Sequence, residues 1–312
     1  MTDTDTTMSP KVVQIPTGYL RISITDSCNM NCVYCHNEGQ TSTRGHFMTL
    51  DEFKYVIVNA RRFGLRKVRI TGGEPLLHNR CIDMLRFAKR EAEVPIVGFN
   101  TNATMRHRLL AIVQERLIDD LIVGCDSVDG PISKQSLVGI PSQAVLDTIL
   151  AAQQLGQKVG IACVFDDNVA TVEKLIAWCL KHRVTLKILQ VIDATVATED
   201  NPEFAALADR VFERFGLVRQ FLASVGDYCG LAADGTKVYF FHSHCRRREC
   251  RHCGAIHMRV TSDGFVKTCI QEEVQYPLLS GPFDANLRKA IANVGHAPET
   301  RLGTVQISGG QR

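Results

Sequence analysis

The chain runs to 312 residues, 45% of them hydrophobic and 22% charged, with a formal net charge of +3. That is enough to bury one large core, or one large and one small, and too near neutral to point to a nucleic-acid or membrane partner. No run of about twenty apolar residues occurs, and residues 1–11 are polar and Thr/Asp-rich rather than shaped as a signal peptide, so a soluble cytoplasmic protein is expected.

In chain order, residues 1–15 read as a flexible lead-in. Residues 19–26 (YLRISITD) form a first strand, followed by a loop with Cys28, Cys32 and Cys35 and a helix over 50–63 capped by Thr49. Residues 67–71 (KVRIT) form the second strand, Gly72-Gly73-Glu74-Pro75 the loop after it, and Ile82, Leu85 and Phe87 the apolar set of the next helix. Further strands fall at 97–101, 121–125, 159–165 and 185–191, with amphipathic helices in the gaps. Six βα units predict an α/β fold, a partial (βα)6 barrel over residues 16–224, with its functional loops at the carboxyl ends of the strands. Both the cysteine loop and the Gly-Gly-Glu-Pro loop then reach the same mouth. Beyond about Leu222 the alternation stops, and residues 225–312 predict a smaller α+β domain with Cys245, Cys250, Cys253 and Cys269. There, residues 258–267 read as a hairpin turning at Ser262-Asp263-Gly264.

Seven of the twelve cysteines thus lie in two groups with ligand-like spacing, which argues for metal ligation in a reducing compartment rather than a disulfide scaffold. Cys81, Cys125, Cys163, Cys179 and Cys229 lie singly in apolar segments and read as small buried hydrophobes. The CxxxCxxC spacing of Cys28, Cys32 and Cys35 supplies three thiolates to a [4Fe–4S] cluster and leaves one iron open to chelate a cofactor, S-adenosylmethionine (SAM) being the expected occupant. Three structural thiols are the plainer alternative. In the second group, the Cys250–Cys253 pair and Cys269 suit zinc and iron–sulfur equally on spacing alone, with His252 and His257 as further ligands or polar neighbours.

With Tyr34 directly before the last cysteine and the Gly-Gly-Glu-Pro loop after the second strand, the sequence resembles the radical SAM superfamily. The resemblance implies that Tyr34 packs near the adenine, that Gly72, Gly73 and Glu74 approach the methionine part of SAM, and that Asn100 and Asn102 present polar groups to it. From YLRISITD through KVRITGGEP, the second cysteine group with RVTSDG, and Gly309-Gly310, the chain is similar to the GTP 3′,8-cyclase family of molybdopterin biosynthesis. That family cleaves SAM at the barrel cluster, takes the 3′ hydrogen of GTP, and joins the resulting radical to C8. It implies two [4Fe–4S] clusters, the second on Cys250, Cys253 and Cys269 and binding the guanine, with the Gly-Gly tail entering the site. It also implies substrate-triphosphate contacts by Arg21, Lys67, Arg69 and Arg259. Lys67 and Arg69, two apart, share one face of their strand, and several cations are needed to offset a triphosphate. The basic run Arg246, Arg247, Arg248 and Arg251 is either a phosphate contact or a solvated loop.

Departures from the family lie on the substrate side. Fifteen residues separate Cys253 from Cys269, longer than the family spacing, and Gly254-Ala255 stand where the family has Asn-Arg. Lys187-Ile188-Leu189-Gln190 replaces Arg-Phe-Ile-Glu, so the SAM-contacting arginine becomes Lys187 and loses its planar fork. Gln311-Arg312 extend past the diglycine, and Cys245 is a further thiol that would close the second cluster. The alternative is therefore a divergent radical SAM enzyme acting on another nucleoside, a metabolite or a peptide in a natural-product pathway. Either way the expected partners are a small-molecule substrate and a one-electron reductant such as flavodoxin or ferredoxin, and a homodimer is compatible with the reading.

Overall fold

A computed structural model of the chain describes residues 13–32, 34–40, 45–132, 139–165, 168–191, 202–222, 227–242, 256–270 and 273–294. The first half alternates strand and helix: β1 (Tyr19–Ser23), α1 (Leu50–Arg62), β2 (Lys67–Thr71), α2 (Cys81–Arg86), β3 (Ile96–Thr101), α3 (Arg106–Gln114), β4 (Asp120–Gly124), α4 (Ser142–Gln154), β5 (Val159–Phe165), α5 (Val169–Lys181) and β6 (Thr185–Gln190). These six strands pair in parallel and in sequence order, which is the expected partial barrel. Local chemistry explains the elements. In α1, Thr49 and Glu52 cap one another's backbone, Asp51 and Glu52 sit in the first turn and Arg61 and Arg62 in the last, and Phe53, Val56, Ile57 and Ala60 form the buried stripe.

The strands alternate between two environments. Leu20, Ile22, Val68, Ile70, Val97, Phe99, Leu121, Val123, Ile161, Cys163, Leu186 and Ile188 are all at most 1% exposed and form the apolar core. Their alternates, among them Arg21, Lys67, Arg69, Asn100, Asp120 and Lys187, line the opposite, lumenal face and are largely polar. The lone cysteines Cys81, Cys125, Cys163, Cys179 and Cys229 are all buried, as expected. β1 ends at Ser23, short of the expected residue 26, because Thr25 bridges to Phe47 and the chain turns off the sheet to deliver the cysteine loop.

After α6 (Pro202–Arg214), the segments β7 (Val218–Leu222), β8 (Asp227–Leu231) and β9 (Lys237–Phe241) form an antiparallel meander joined to β6 through β9. β10 (Met258–Val260) pairs in parallel with β1, and β11 (Phe265–Lys267) and β12 (Tyr276–Pro277) extend that edge, with α7 (Phe283–Ala292) following. β10 and β11 are the expected hairpin, turning through Ser262-Asp263-Gly264 with Gly264 at φ +81°. One twelve-stranded sheet results, and the described strands of residues 225–312 continue the barrel sheet at both of its edges. Among the described residues no helix is long and apolar enough to cross a membrane.

Candidate active site

The cysteine loop leaves β1 and is tied down at several points. Asp26 Oδ1 accepts from the backbone N–H groups of Gly45 and His46 at 2.7 and 2.8 Å. Asn29 donates to Thr104 Oγ1 at 2.9 Å and accepts from Asn102 Nδ2 at 2.8 Å, which fixes the loop to the end of β3. Tyr34 donates its hydroxyl to Asp126 Oδ2 at 2.5 Å, and Asp126 Oδ1 accepts from Val164 N at 2.8 Å, so the loop also reaches the ends of β4 and β5. Cys28 and Cys32 are half-buried and Cys35 is exposed. Backbone N–H groups face two of the sulfurs, Met30 N to Cys28 Sγ at 3.3 Å and Asn37 N to Cys35 Sγ at 3.4 Å. Burial pushes the Cys28 thiol up to about 11, so it becomes a thiolate at neutral pH only against a cation such as iron.

No three His, Cys, Asp or Glu side chains among the described residues converge on a single-ion site. A four-iron cluster takes one thiolate per iron, so its ligands need not meet at one point. Three soft thiols on one exposed loop, two of them facing N–H donors, fit such a cluster.

Beside this loop a cavity of about 180 Å³ is lined by Thr71, Gly73, Asn100, Thr101, Asn102, Ile122, Gly124 and Ala162, at the carboxyl ends of β2 to β5. The reason for the two glycines is closer to home than the expected approach to a cofactor. A Cβ on Gly72, whose φ is +144°, would lie 2.3 Å from Thr25 O, and one on Gly73 would lie 2.1 Å from Ser27 O. Gly73 N donates to Thr25 O at 2.9 Å and Glu74 N to Ser27 O at 2.8 Å, so this loop is bonded flat against the root of the cysteine loop. Glu74 is fully buried and its carboxylate accepts from Leu76 N (2.9 Å), Thr101 Oγ1 (2.7 Å) and Asn102 N (2.7 Å). Burial pushes it up to about 7 despite those three donors. In this structure its side chain braces the cavity wall, and Asn102 is held in place by it.

Below the cavity the lumen is strongly basic. Arg69 donates Nη1 to Asn100 Oδ1 at 2.9 Å and Nε to the Tyr19 hydroxyl at 3.0 Å, and pairs through Nη2 with Asp120. Lys67 lies 3.8 Å from Asp120 Oδ2 and over the Tyr19 ring. Arg21 and Arg259 sit side by side in the β1–β10 register and share one carboxylate, Glu38. Burial would raise the Glu38 pKa, yet Arg21 and Arg259 hold it well below the usual carboxylate range. Lys187 is brought down to about 8, first by burial and then by the charge of Arg69. Among the described residues, five cations, Arg21, Lys67, Arg69, Lys187 and Arg259, thus meet two carboxylates, Glu38 and Asp120, in one interior. Such an excess calls for an anionic occupant.

All the expected residues of the barrel therefore converge on one mouth and lumen. Cys250 and Cys253 lie outside the described residues, as do Cys245, His252, Gly254, Ala255, the run Arg246, Arg247, Arg248 and Arg251, and the tail Gly309 to Arg312. Cys269 is buried at the end of β11, beside Ile270. Glu38, Asp120 and Asp126 went unread in the sequence. Asp120 could have been found from its place on the lumenal alternation of β4, whereas Glu38, in a loop, carries no periodic signal.

The profile of the Radical SAM superfamily matches residues 22–179. A probable GTP 3′,8-cyclase of Methanococcus maripaludis is 28% identical over 295 residues, spanning 89% of this chain and 94% of its own length. A GTP 3′,8-cyclase of Limosilactobacillus fermentum is 30% identical over 295 residues, 88% of this chain and 87% of its own. Among solved structures, Streptococcus suis SuiB bound to the precursor peptide SuiA gives a TM-score of 0.65 at 13% identity, covering 89% of this chain and 67% of SuiB. Native anSMEcpe with bound AdoMet gives 0.62 at 15% identity over 89% and 84%. At such identities these two structures speak to the fold alone.

Proposed function

The chain belongs to the radical SAM superfamily, and from that premise we propose that this radical SAM enzyme cyclises a nucleoside triphosphate, converting GTP to 3′,8-cyclo-dihydro-GTP on the way to molybdopterin. The observation that carries the reading is the lumen itself, in which Arg21, Lys67, Arg69, Lys187 and Arg259 outnumber Glu38 and Asp120 directly beneath the cavity at the strand ends. Cys28, Cys32 and Cys35 would hold the cluster, which together with SAM would supply the radical-generating reductive chemistry.

The protein's own work is placement. Gly73, Asn100 and Asn102 form the wall against which SAM would lie, Asn102 being held by Glu74 and Asn29. The lumenal cations would grip the triphosphate and so fix where the ribose stands relative to the mouth, converting a random encounter into an oriented one. Tyr34 and Asp126 latch the loop to the ends of β4 and β5. The proposal includes a second cluster on Cys250, Cys253 and Cys269, and a reduced flavodoxin or ferredoxin of the cytoplasm would supply the electron.

Lys187 favours a second reading, in which a different anionic nucleoside or metabolite is the substrate, because a single ammonium replaces the family's bidentate fork in the lumen beside Arg69. Anaerobically reconstituted protein given SAM, dithionite and GTP separates the two. A product isobaric with GTP, formed together with 5′-deoxyadenosine and detected by mass spectrometry, is the expected result. Cleavage of SAM with GTP unchanged would reject GTP and select the second reading.

A further inference from the structure

We propose that Glu38 is a positioning residue that couples the lumenal arginines to the cysteine loop, so that an anion arriving at Arg21 and Arg259 alters the hydrogen bonding at Cys35. The inference rests on the reading of the lumen as a polyanion site. Glu38 stands three residues after Cys35, yet its carboxylate is buried in the lumen. Three strands donate to it. Arg21 of β1 reaches both oxygens, Thr71 of β2 donates Oγ1 to Oε1 at 3.1 Å, and Arg259 of β10 donates Nε to Oε2 at 3.2 Å. Arg259 Nη1 is buried and finds no hydrogen-bond partner among the described residues. The remaining donor suits an incoming anionic oxygen.

The turn that carries Glu38 cannot absorb a displacement locally. Asn37 and Glu38 hold φ of +45° and +53°, in the left-handed region that costs a non-glycine residue. Beyond them the chain is clamped. Lys267 Nζ donates to Gly39 O at 2.6 Å, Ser262 N donates to Gln40 Oε1 at 2.7 Å, and a Cβ on Gly39 would sit 2.6 Å from Ile270 O. With that side fixed, a shift of Glu38 is passed toward Cys35, whose sulfur faces Asn37 N at 3.4 Å. A second anion at Arg21 and Arg259 competes with Glu38 for the same guanidiniums and repels it. Hydrogen bonds to cluster sulfurs set a cluster's electronic properties, so the change is read at the iron.

The test uses the full chain, anaerobically reconstituted with SAM and reduced, and inorganic triphosphate as an unreactive probe. Titration calorimetry reports binding, and electron paramagnetic resonance reports the cluster with and without the probe. The expected result is that triphosphate changes the wild-type spectrum. Glu38→Gln, which keeps the shape but not the charge, should bind it within about tenfold of wild type and give one spectrum in both conditions, with Glu38→Asp restoring part of the response. Wild type that binds triphosphate with no spectral change, or Glu38→Gln that keeps the change, overturns the coupling alone. Wild type that binds no triphosphate overturns the polyanion reading and the coupling with it. If Glu38→Gln loads no iron, Glu38→Asp takes its place in the comparison, and a Glu38→Asp protein whose response to triphosphate equals that of wild type overturns the coupling.

Discussion

Substituting Gly73 by alanine adds one methyl group at the join between the two loops that make the mouth. Gly73 has no left-handed φ, so the backbone itself tolerates alanine, and only the space is at issue. The new Cβ would stand 2.1 Å from Ser27 O, 2.5 Å from Ser27 C and 2.8 Å from Asp26 O, all backbone atoms that cannot swing aside. The loops must part by about an ångström to restore ordinary contact. That stretches the 2.9 Å bond from Gly73 N to Thr25 O and the 2.8 Å bond from Glu74 N to Ser27 O beyond useful length. Losing two backbone hydrogen bonds costs about 1 kcal/mol each, and overpacking adds about 1–3 kcal/mol. The sum, about 3–5 kcal/mol, corresponds to a fall in Tm of roughly 10 °C for a chain of this size. Thermal unfolding followed by circular dichroism measures it, with iron content as a second readout, because the displaced segment is the root of the cysteine loop. A Gly73→Ala protein that melts within about 2 °C of wild type and loads iron normally would refute the argument that the glycines serve the chain's own packing.

Two further outcomes follow from the same geometry. Lys187, brought down to about 8 by burial and by Arg69, is protonated below that pH, and an anion beside it raises its pKa. Binding of triphosphate should therefore take up a proton and weaken as pH rises through 8, by up to about tenfold per unit. Lys187→Arg should remove that component, and equal slopes in the two proteins, by calorimetry at pH 7, 8 and 9, would sink it. Cys32→Ala should abolish 5′-deoxyadenosine formation, and survival of that product would remove the first cysteine group from the cluster.

Features that depend on neighbours along the chain were legible in the sequence. β2 and β5 occupy the expected residues, Thr49 caps α1, and Lys67 and Arg69 share the lumenal face that a two-residue period predicts. Features that depend on which distant segment arrives were not. β10 is a three-residue strand whose parallel pairing with β1 places Arg259 beside Arg21, and no local pattern announces that register. β7 to β9 were missed for a similar reason, since a meander at a sheet edge breaks the βα rhythm on which the reading relied. Glu38 looks like a solvated loop charge until β1, β2 and β10 are assembled around it. The resemblance assigns Gly72 and Gly73 to the approach of SAM, whereas their fit against Thr25 and Ser27 is visible only in the folded chain.

The partnership of Glu38 with Arg259 spans 221 residues, which has a consequence for the order in which the molecule is made. At about 5–20 residues per second on the ribosome, the arginine from β10 is synthesised roughly 10–45 s after the carboxylate it will hold. Arg21 and Thr71 are already present in that interval, whereas the outer flank of β1 has no strand beside it. The nascent chain thus carries Cys28, Cys32 and Cys35 on a half-anchored loop at an unguarded sheet edge until β10, made long after that loop, arrives to shut it.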